Sequence, residues 1–241
     1  DHPLATMAAA DALRAGGSTA DAAIAGAFVQ AVVLPQACSL GGDAILLDHD
    51  GWTRRPRALI AAGRSPAGLR TADYAAGIPQ RGALSVTVPG AVAGYAALHD
   101  ARGRLPWEDL VGPAIGFAAD GFTASAGLAE AVARSTGLLA QDPGATALFL
   151  PGGRPLAAGA PLCQPALADT LRGIASEGPV AGFYRAKPAA AIAARLAALG
   201  SAMTVDDLAA VETEWAAPLT VAYRGTTIAA APPPSYGVYL L

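Results

Sequence analysis

The stretch from Thr19 to Leu47 constrains this chain more than any other. Ser18 or Thr19 can serve as an N-cap, and an apolar-rich run from Ala22 to Leu34 follows Asp21. Pro35 ends the run, because proline lacks an N–H and its ring collides with the preceding turn. A turn of small residues, Ala37-Cys38-Ser39, leads through Gly41-Gly42 into Ala44-Ile45-Leu46-Leu47, which reads as a buried strand. A helix apolar on nearly every face belongs inside a layered core. The expectation is a helix packed on a sheet that begins at Ala44.

Composition sharpens this. The chain is 53 % hydrophobic and only 15 % charged over 241 residues, and much of the excess is alanine. Alanine favours helix and lets helices approach closely, so a helix-rich mixed fold is expected. An excess of apolar surface also points to a face that meets a partner chain. No apolar run reaches the roughly 20 residues of a membrane span, and the run that comes nearest contains Gln30; no membrane partner is expected. Net charge is −3, and the basic residues form no stripe beyond Arg54-Arg55-Pro56-Arg57 with Arg102 and Arg104 elsewhere. Nucleic acid is therefore not an expected partner. Cys38 and Cys163 show no C-x-x-C spacing, which argues against a redox or zinc motif and leaves a single disulfide open. Three histidines, His2, His49 and His99, make a histidine-rich metal centre improbable, and no metal or cofactor is expected. The chain opens at Asp1 without a basic and apolar leader, so a signal peptide is either absent or removed. A cytoplasmic location is the expectation, with secretion or the periplasm as the alternative.

Along the chain, a helix is expected over Leu4–Ala15, closed by Gly16-Gly17. After the strand at Ala44, a hairpin turn at Gly51-Trp52 returns as a second strand, Thr53–Ile60. Gly82–Val88 alternates as a strand would. Helices follow over Ala91–Ala101, Trp107–Ala119 and from Ser125 towards Ala140, with a loop region between Asp142 and Gly153. Leu167–Ser176 and Pro188–Leu199 are helical, and Thr204 caps Val205–Ala209. Leu219–Tyr223 and Thr226–Ala231 form a hairpin about Arg224-Gly225. Residues 1–241 read as a single domain, with no linker and no internal repeat.

Spacing alone names no reaction. There is no G-x-S-x-G, no P-loop and no H-E-x-x-H. The order of short motifs says more. His2-Pro3-Leu4-Ala5, Gly16-Gly17, Asp21-Ala22-Ala23, Pro35-Gln36 and Leu40-Gly41-Gly42 come in sequence, then Pro89-Gly90-Ala91-Val92-Ala93-Gly94 and Leu105-Pro106-Trp107. Gln164-Pro165, Phe183-Tyr184, Asp207-Leu208-Ala209, Glu214-Trp215, Tyr223-Arg224-Gly225 and Pro232-Pro233-Pro234-Ser235 complete the series. In this order they resemble the large subunit of the γ-glutamyltranspeptidase family over nearly the whole chain.

That resemblance implies an α+β fold, an αββα sandwich of the N-terminal nucleophile hydrolase type completed by a small subunit cut from the same precursor. The family's small subunit begins with a threonine whose hydroxyl attacks while its own α-amine takes the proton. No catalytic residue is then expected in the present chain, which also stops at Leu241, earlier than such large subunits do.

Three departures bear on substrate. Transpeptidases carry R-E-x-A-P after the second strand, whose arginine clamps a carboxylate through both oxygens. Aligned on Pro66, this chain reads Ala62-Gly63-Arg64-Ser65-Pro66, with alanine at the clamp and an arginine two residues on. Asp43 stands where the family has glycine, and Ser235-Tyr236-Gly237 replaces S-S-G. Arg64 either serves a substrate carboxylate from a new position or is a solvated loop residue. Asp43 is either a turn residue or a carboxylate beside the substrate, and Tyr236 fills space. Arg64 and Asp43 are the candidate substrate-binding residues. The expected activity is acyl-transfer hydrolysis of a small molecule that is not a γ-glutamyl compound, by cleavage of an amide or C–C bond, with bacterial secondary metabolism such as antibiotic biosynthesis as a setting. An ordinary glutathione-cleaving transpeptidase with a relocated arginine and a non-processing scaffold or binding homologue are the alternatives.

Overall fold

The computed structural model describes residues 2–51, 53 and 55–241. The first elements are α1 (Pro3–Arg14), α2 (Thr19–Val33), β1 (Ala44–His49), β2 (Pro56–Ala61), α3 (Ala91–Arg102) and α4 (Trp107–Asp120). Then come β3 (Phe122–Thr123), α5 (Ala126–Arg134), α6 (Thr136–Leu139), α7 (Pro143–Phe149), β4 (Pro161–Leu162) and α8 (Pro165–Glu177). The last are α9 (Lys187–Ala198), α10 (Val205–Ala209), β5 (Glu214–Ala216), β6 (Leu219–Tyr223) and β7 (Thr226–Ala230). The expected turn at Gly51-Trp52 and the basic cluster fall partly outside the described residues, since Trp52 and Arg54 are not among them.

The chain divides into two compact units, one of Asp1–Leu40 with Arg102–Gly178, the other of Gly41–Ala101 with Pro179–Leu241. The first is helical around α2. Ser18 caps α2 by accepting from the Asp21 N–H, and the Asp21 carboxylate accepts in turn from the Ser18 N–H, a reciprocal capping box. Ile24, Phe28, Val29, Val32 and Val33 have no exposed surface. Each such side chain stabilises the fold by about 1.5–3 kcal/mol. Within the unit α2 packs on α1 and α4, and α4 packs on α8. Phe28 meets the edge of Trp107 at 6.4 Å, and buried Gln164 donates to the Val32 carbonyl. The layer on α2 in its own unit is therefore helical, whereas a sheet was expected there. The alanines of α1, Ala5, Ala8 and Ala12, are buried and small enough for close helix–helix approach.

The second unit holds the three-stranded sheet. Its antiparallel order is β1-β2-β5, with Ala44 opposite Ala61 and Leu59 opposite Trp215. Buried Ala44 and Ala61 form a cluster with Ala91 at the start of α3, and Tyr95 packs on it. β6 and β7 make the expected hairpin. Two further expectations fail, one in each unit. Gly82–Val88 is no strand: Ala83–Ser85 forms a 3-10 turn, and Val88 donates one backbone bond to the Arg64 carbonyl. The alternation is not matched by burial, since Ala83 is buried while Leu84, Ser85 and Val86 are all half-buried, and no neighbouring ladder takes up the segment. Between Asp142 and Gly153 lies α7, because Asp142 accepts from the Ala145 N–H as N-cap and Pro143 occupies the first turn.

Candidate functional site

The site candidates gather where β2 runs out into the loop 62–68. The Asp43 carboxylate, one residue before β1, accepts from the Gly63 N–H at 3.0 Å. Gly63 is held against the Val88 backbone so closely that a Cβ there would lie 1.5 Å from the Val88 carbonyl oxygen. Arg64 follows at once, its carbonyl bound by the Val88 N–H at 2.9 Å. Asp43 therefore acts as a turn residue that fixes the backbone presenting Arg64. The Arg64 side chain points outward, 77 % exposed, and its Nη2 contacts Glu212 Oε2 at 2.5 Å.

Arg64, Glu212 and Asp207 line a cavity of about 190 Å3, with Gly63, Val88 and Ala67 among the other walls. That volume admits a head group rather than a whole substrate of ordinary size. Asp207 is fixed in place: Oδ1 accepts from the Ala67 N–H at 2.8 Å, and Oδ2 from the Thr204 hydroxyl at 2.7 Å and the Thr204 N–H at 2.8 Å. Burial alone would raise its pKa, but those hydrogen bonds outweigh it and hold the carboxyl below its usual range. Its contribution to stability is thus present above the ordinary carboxylate pKa and is lost as the pH falls through the depressed one.

Behind the loop, the start of α3 is anchored by two groups. The Gly42 carbonyl accepts from the N–H groups of Gly90 and Ala91. The buried Tyr184 hydroxyl donates to the Pro89 carbonyl at 2.8 Å and accepts from the Ala93 N–H at 3.0 Å. Burial raises the Tyr184 pKa, so the hydroxyl remains a neutral donor. Tyr184→Phe is expected to cost about 1–3 kcal/mol in urea unfolding, since it strands a buried N–H and a carbonyl. That stabilisation is fully present below the unfolded tyrosine pKa of about 10 and is lost as the pH rises beyond it. A variant as stable as the parent would show that the hydroxyl does not anchor α3.

Sequence reasoning singled out Asp43 and Arg64, which the structure brings to neighbouring backbone, but missed Glu212, the Asp207 tether and the part that Tyr184 plays. Thr204-x-x-Asp207 announces a capping box, yet nothing local to residue 207 announces its bond to Ala67, 140 residues away. Cys38 and Cys163 are both free thiols. Among the described residues no group of three His, Cys, Asp or Glu side chains is placed to hold a metal, and no helix is long and apolar enough to cross a membrane.

The γ-glutamyltranspeptidase family model matches residues 5–241. The chain is 37 % identical over 239 residues to a glutathione hydrolase-like YwrD proenzyme from Bacillus subtilis, covering 98 % of this chain and 45 % of that protein. It is 34 % identical over 249 residues to an acylase ACY 1 proenzyme from Pseudomonas sp., covering 98 % of this chain and 44 % of that one. The crystal structure of Helicobacter pylori γ-glutamyltranspeptidase superposes with a TM-score of 0.93 at 30 % identity, over 98 % of this chain and 70 % of the other. The chain belongs to the γ-glutamyltranspeptidase family. Its fold is the expected α+β fold of the N-terminal nucleophile hydrolase type. It spans about 45 % of the length of these curated relatives.

Proposed function

We propose that this chain is the large-subunit part, one domain over residues 1–241, of a γ-glutamyltranspeptidase-like hydrolase whose preferred substrate is not a γ-glutamyl compound. A small subunit from the same precursor would supply an N-terminal threonine, its hydroxyl attacking a substrate carbonyl while its α-amine takes the proton. The proenzyme names of the similar proteins support a processed precursor. The outer edge of β1, which pairs with no strand among the described residues, and the exposed Ile228, Tyr236 and Tyr239 support a partner chain. An attacking threonine serves amide hydrolysis and cleavage of a C–C bond beside a ketone alike, and an acylase stands among the similar proteins. A role in bacterial secondary metabolism fits the alanine-rich composition.

The reading rests on Ala62, which stands at the position of the family's carboxylate clamp. In its place Arg64 and Asp43 are proposed as the residues that shape substrate binding, Arg64 through its guanidinium and Asp43 through the Gly63 backbone. The processed two-subunit enzyme is expected to hydrolyse γ-glutamyl-p-nitroanilide about a hundredfold less efficiently than a transpeptidase with the clamp. Losing a desolvated two-oxygen contact costs on the order of 3 kcal/mol. Rates equal to such a transpeptidase would sink this reading. They would favour the second, an ordinary transpeptidase with a relocated arginine, which the position of Arg64 in the wall of a cavity supports.

A further inference from the structure

We propose that Glu212 determines specificity through Arg64, competing with a substrate carboxylate for the guanidinium and so biasing this subsite against acidic acyl groups. The proposal rests on Arg64 being a substrate-binding residue. Three charged side chains line the cavity: Arg64, Glu212 and Asp207. Asp207 is committed to Ala67 and Thr204, and its depressed pKa keeps it ionised. Glu212 is bound differently. Its Oε2 sits on Arg64 Nη2, both side chains are well exposed, and it lies in the connection between α10 and β5.

The subsite therefore holds one formal positive charge against two negative ones. Asp43, bound to the neighbouring Gly63 N–H, adds a third carboxylate nearby. An incoming acidic group meets a net negative lining and an arginine already engaged, whereas a neutral group meets no such penalty. The engagement is nevertheless displaceable, because exposed ion pairs are weak and salt-screened. A guanidinium that can offer two parallel N–H groups to one carboxylate gains from the exchange. Neutralising Glu212 removes the competitor and leaves Arg64 and Asp207 balanced. Glu212 is thus a positioning residue: it acts on the substrate by holding Arg64.

The experiment is calorimetric titration of the processed two-subunit protein with glutarate, a simple acidic probe, and with neutral butyramide. Glu212→Gln is expected to tighten the glutarate Kd about fivefold, equivalent to about 1 kcal/mol. Butyramide binding should not move, and the glutarate gain should shrink as salt is raised. Arg64→Ala should weaken glutarate binding, and the gain should vanish in the Arg64→Ala/Glu212→Gln double variant. If Arg64→Ala weakens binding but Glu212→Gln leaves it unchanged, the competition is refuted while Arg64 keeps its role. A gain that persists without Arg64 refutes it too, since charge alone would then account for the effect. If Arg64→Ala leaves glutarate binding unaltered, or no variant binds glutarate, Arg64 is not a carboxylate site and the proposal falls with it.

Discussion

Gly63→Ala is expected to abolish the stable fold of the second unit. The added Cβ would sit 1.5 Å from the Val88 carbonyl oxygen, 2.5 Å from its carbon and 3.1 Å from its Cα. All three are backbone atoms, so no flexible side-chain end can move aside. Nor can the segment shift as a whole. The Gly63 N–H is held by Asp43, and the Arg64 carbonyl by the Val88 N–H, so retreat on either side breaks a hydrogen bond. The same close approach recurs at Gly90, where a Cβ would lie 2.0 Å from the Ala61 carbonyl oxygen while the N–H binds Gly42. Overpacking against backbone belongs to the mechanisms that exceed about 4 kcal/mol, a large share of the ~5–15 kcal/mol by which proteins are stable. The check is soluble yield and thermal unfolding of the processed protein, with Gly51→Ala as control, since a Cβ there meets nothing within 4 Å. Equal melting of Gly63→Ala and the control would mean that this approach is not rigid.

Elements whose signals are local were legible. Ser18 with Asp21 and Thr204 with Asp207 carry the cap and its reciprocal acid three residues apart, and both boxes form. The stop at Pro35 and the hairpin about Arg224-Gly225 follow from single residues whose backbone demands are known in advance. Signals that depend on a partner element were not legible. Val86 and Val88 alternate like a strand, but a strand exists only where a second one offers a ladder, and here Val88 finds a single carbonyl. An apolar helix announces that it is covered without naming the cover, so α2 was expected on a sheet and lies on helices of its own unit. The candidate site divides the same way. Motif register singled out Ala62, Arg64 and Asp43 as candidates, by their distances from Pro66 and Gly42. Glu212 carries no motif of its own, and its meaning comes from Arg64, far away in sequence.

The helical unit has a comparable weak point in one polar side chain. Asp21 is fully buried, unusual for a carboxylate unless hydrogen bonds replace the lost water. Oδ2 accepts from the Ser18 N–H at 2.7 Å, and the Arg104 N–H lies 3.0 Å from Oδ2 and 3.2 Å from Oδ1. The carboxylate thereby joins the start of α2 to the segment that enters α4, the two helices that pack together around Phe28 and Trp107. Asp21→Ala leaves the Ser18 and Arg104 N–H groups without this acceptor and removes half of the capping box. The expected loss is about 2–6 kcal/mol, from two stranded N–H groups at about 1–3 kcal/mol each, measured as a lower urea midpoint with an unchanged slope. Ser18→Ala should cost only about 1 kcal/mol, because it removes one cap acceptor and leaves the link to Arg104. Asp21→Asn should fall between them: one oxygen still accepts, but its amide N–H faces donors where the carboxylate offered a second acceptor. If Asp21→Ala costs no more than Ser18→Ala, the residue is only a helix cap, and the join between α2 and α4 is held by apolar packing alone.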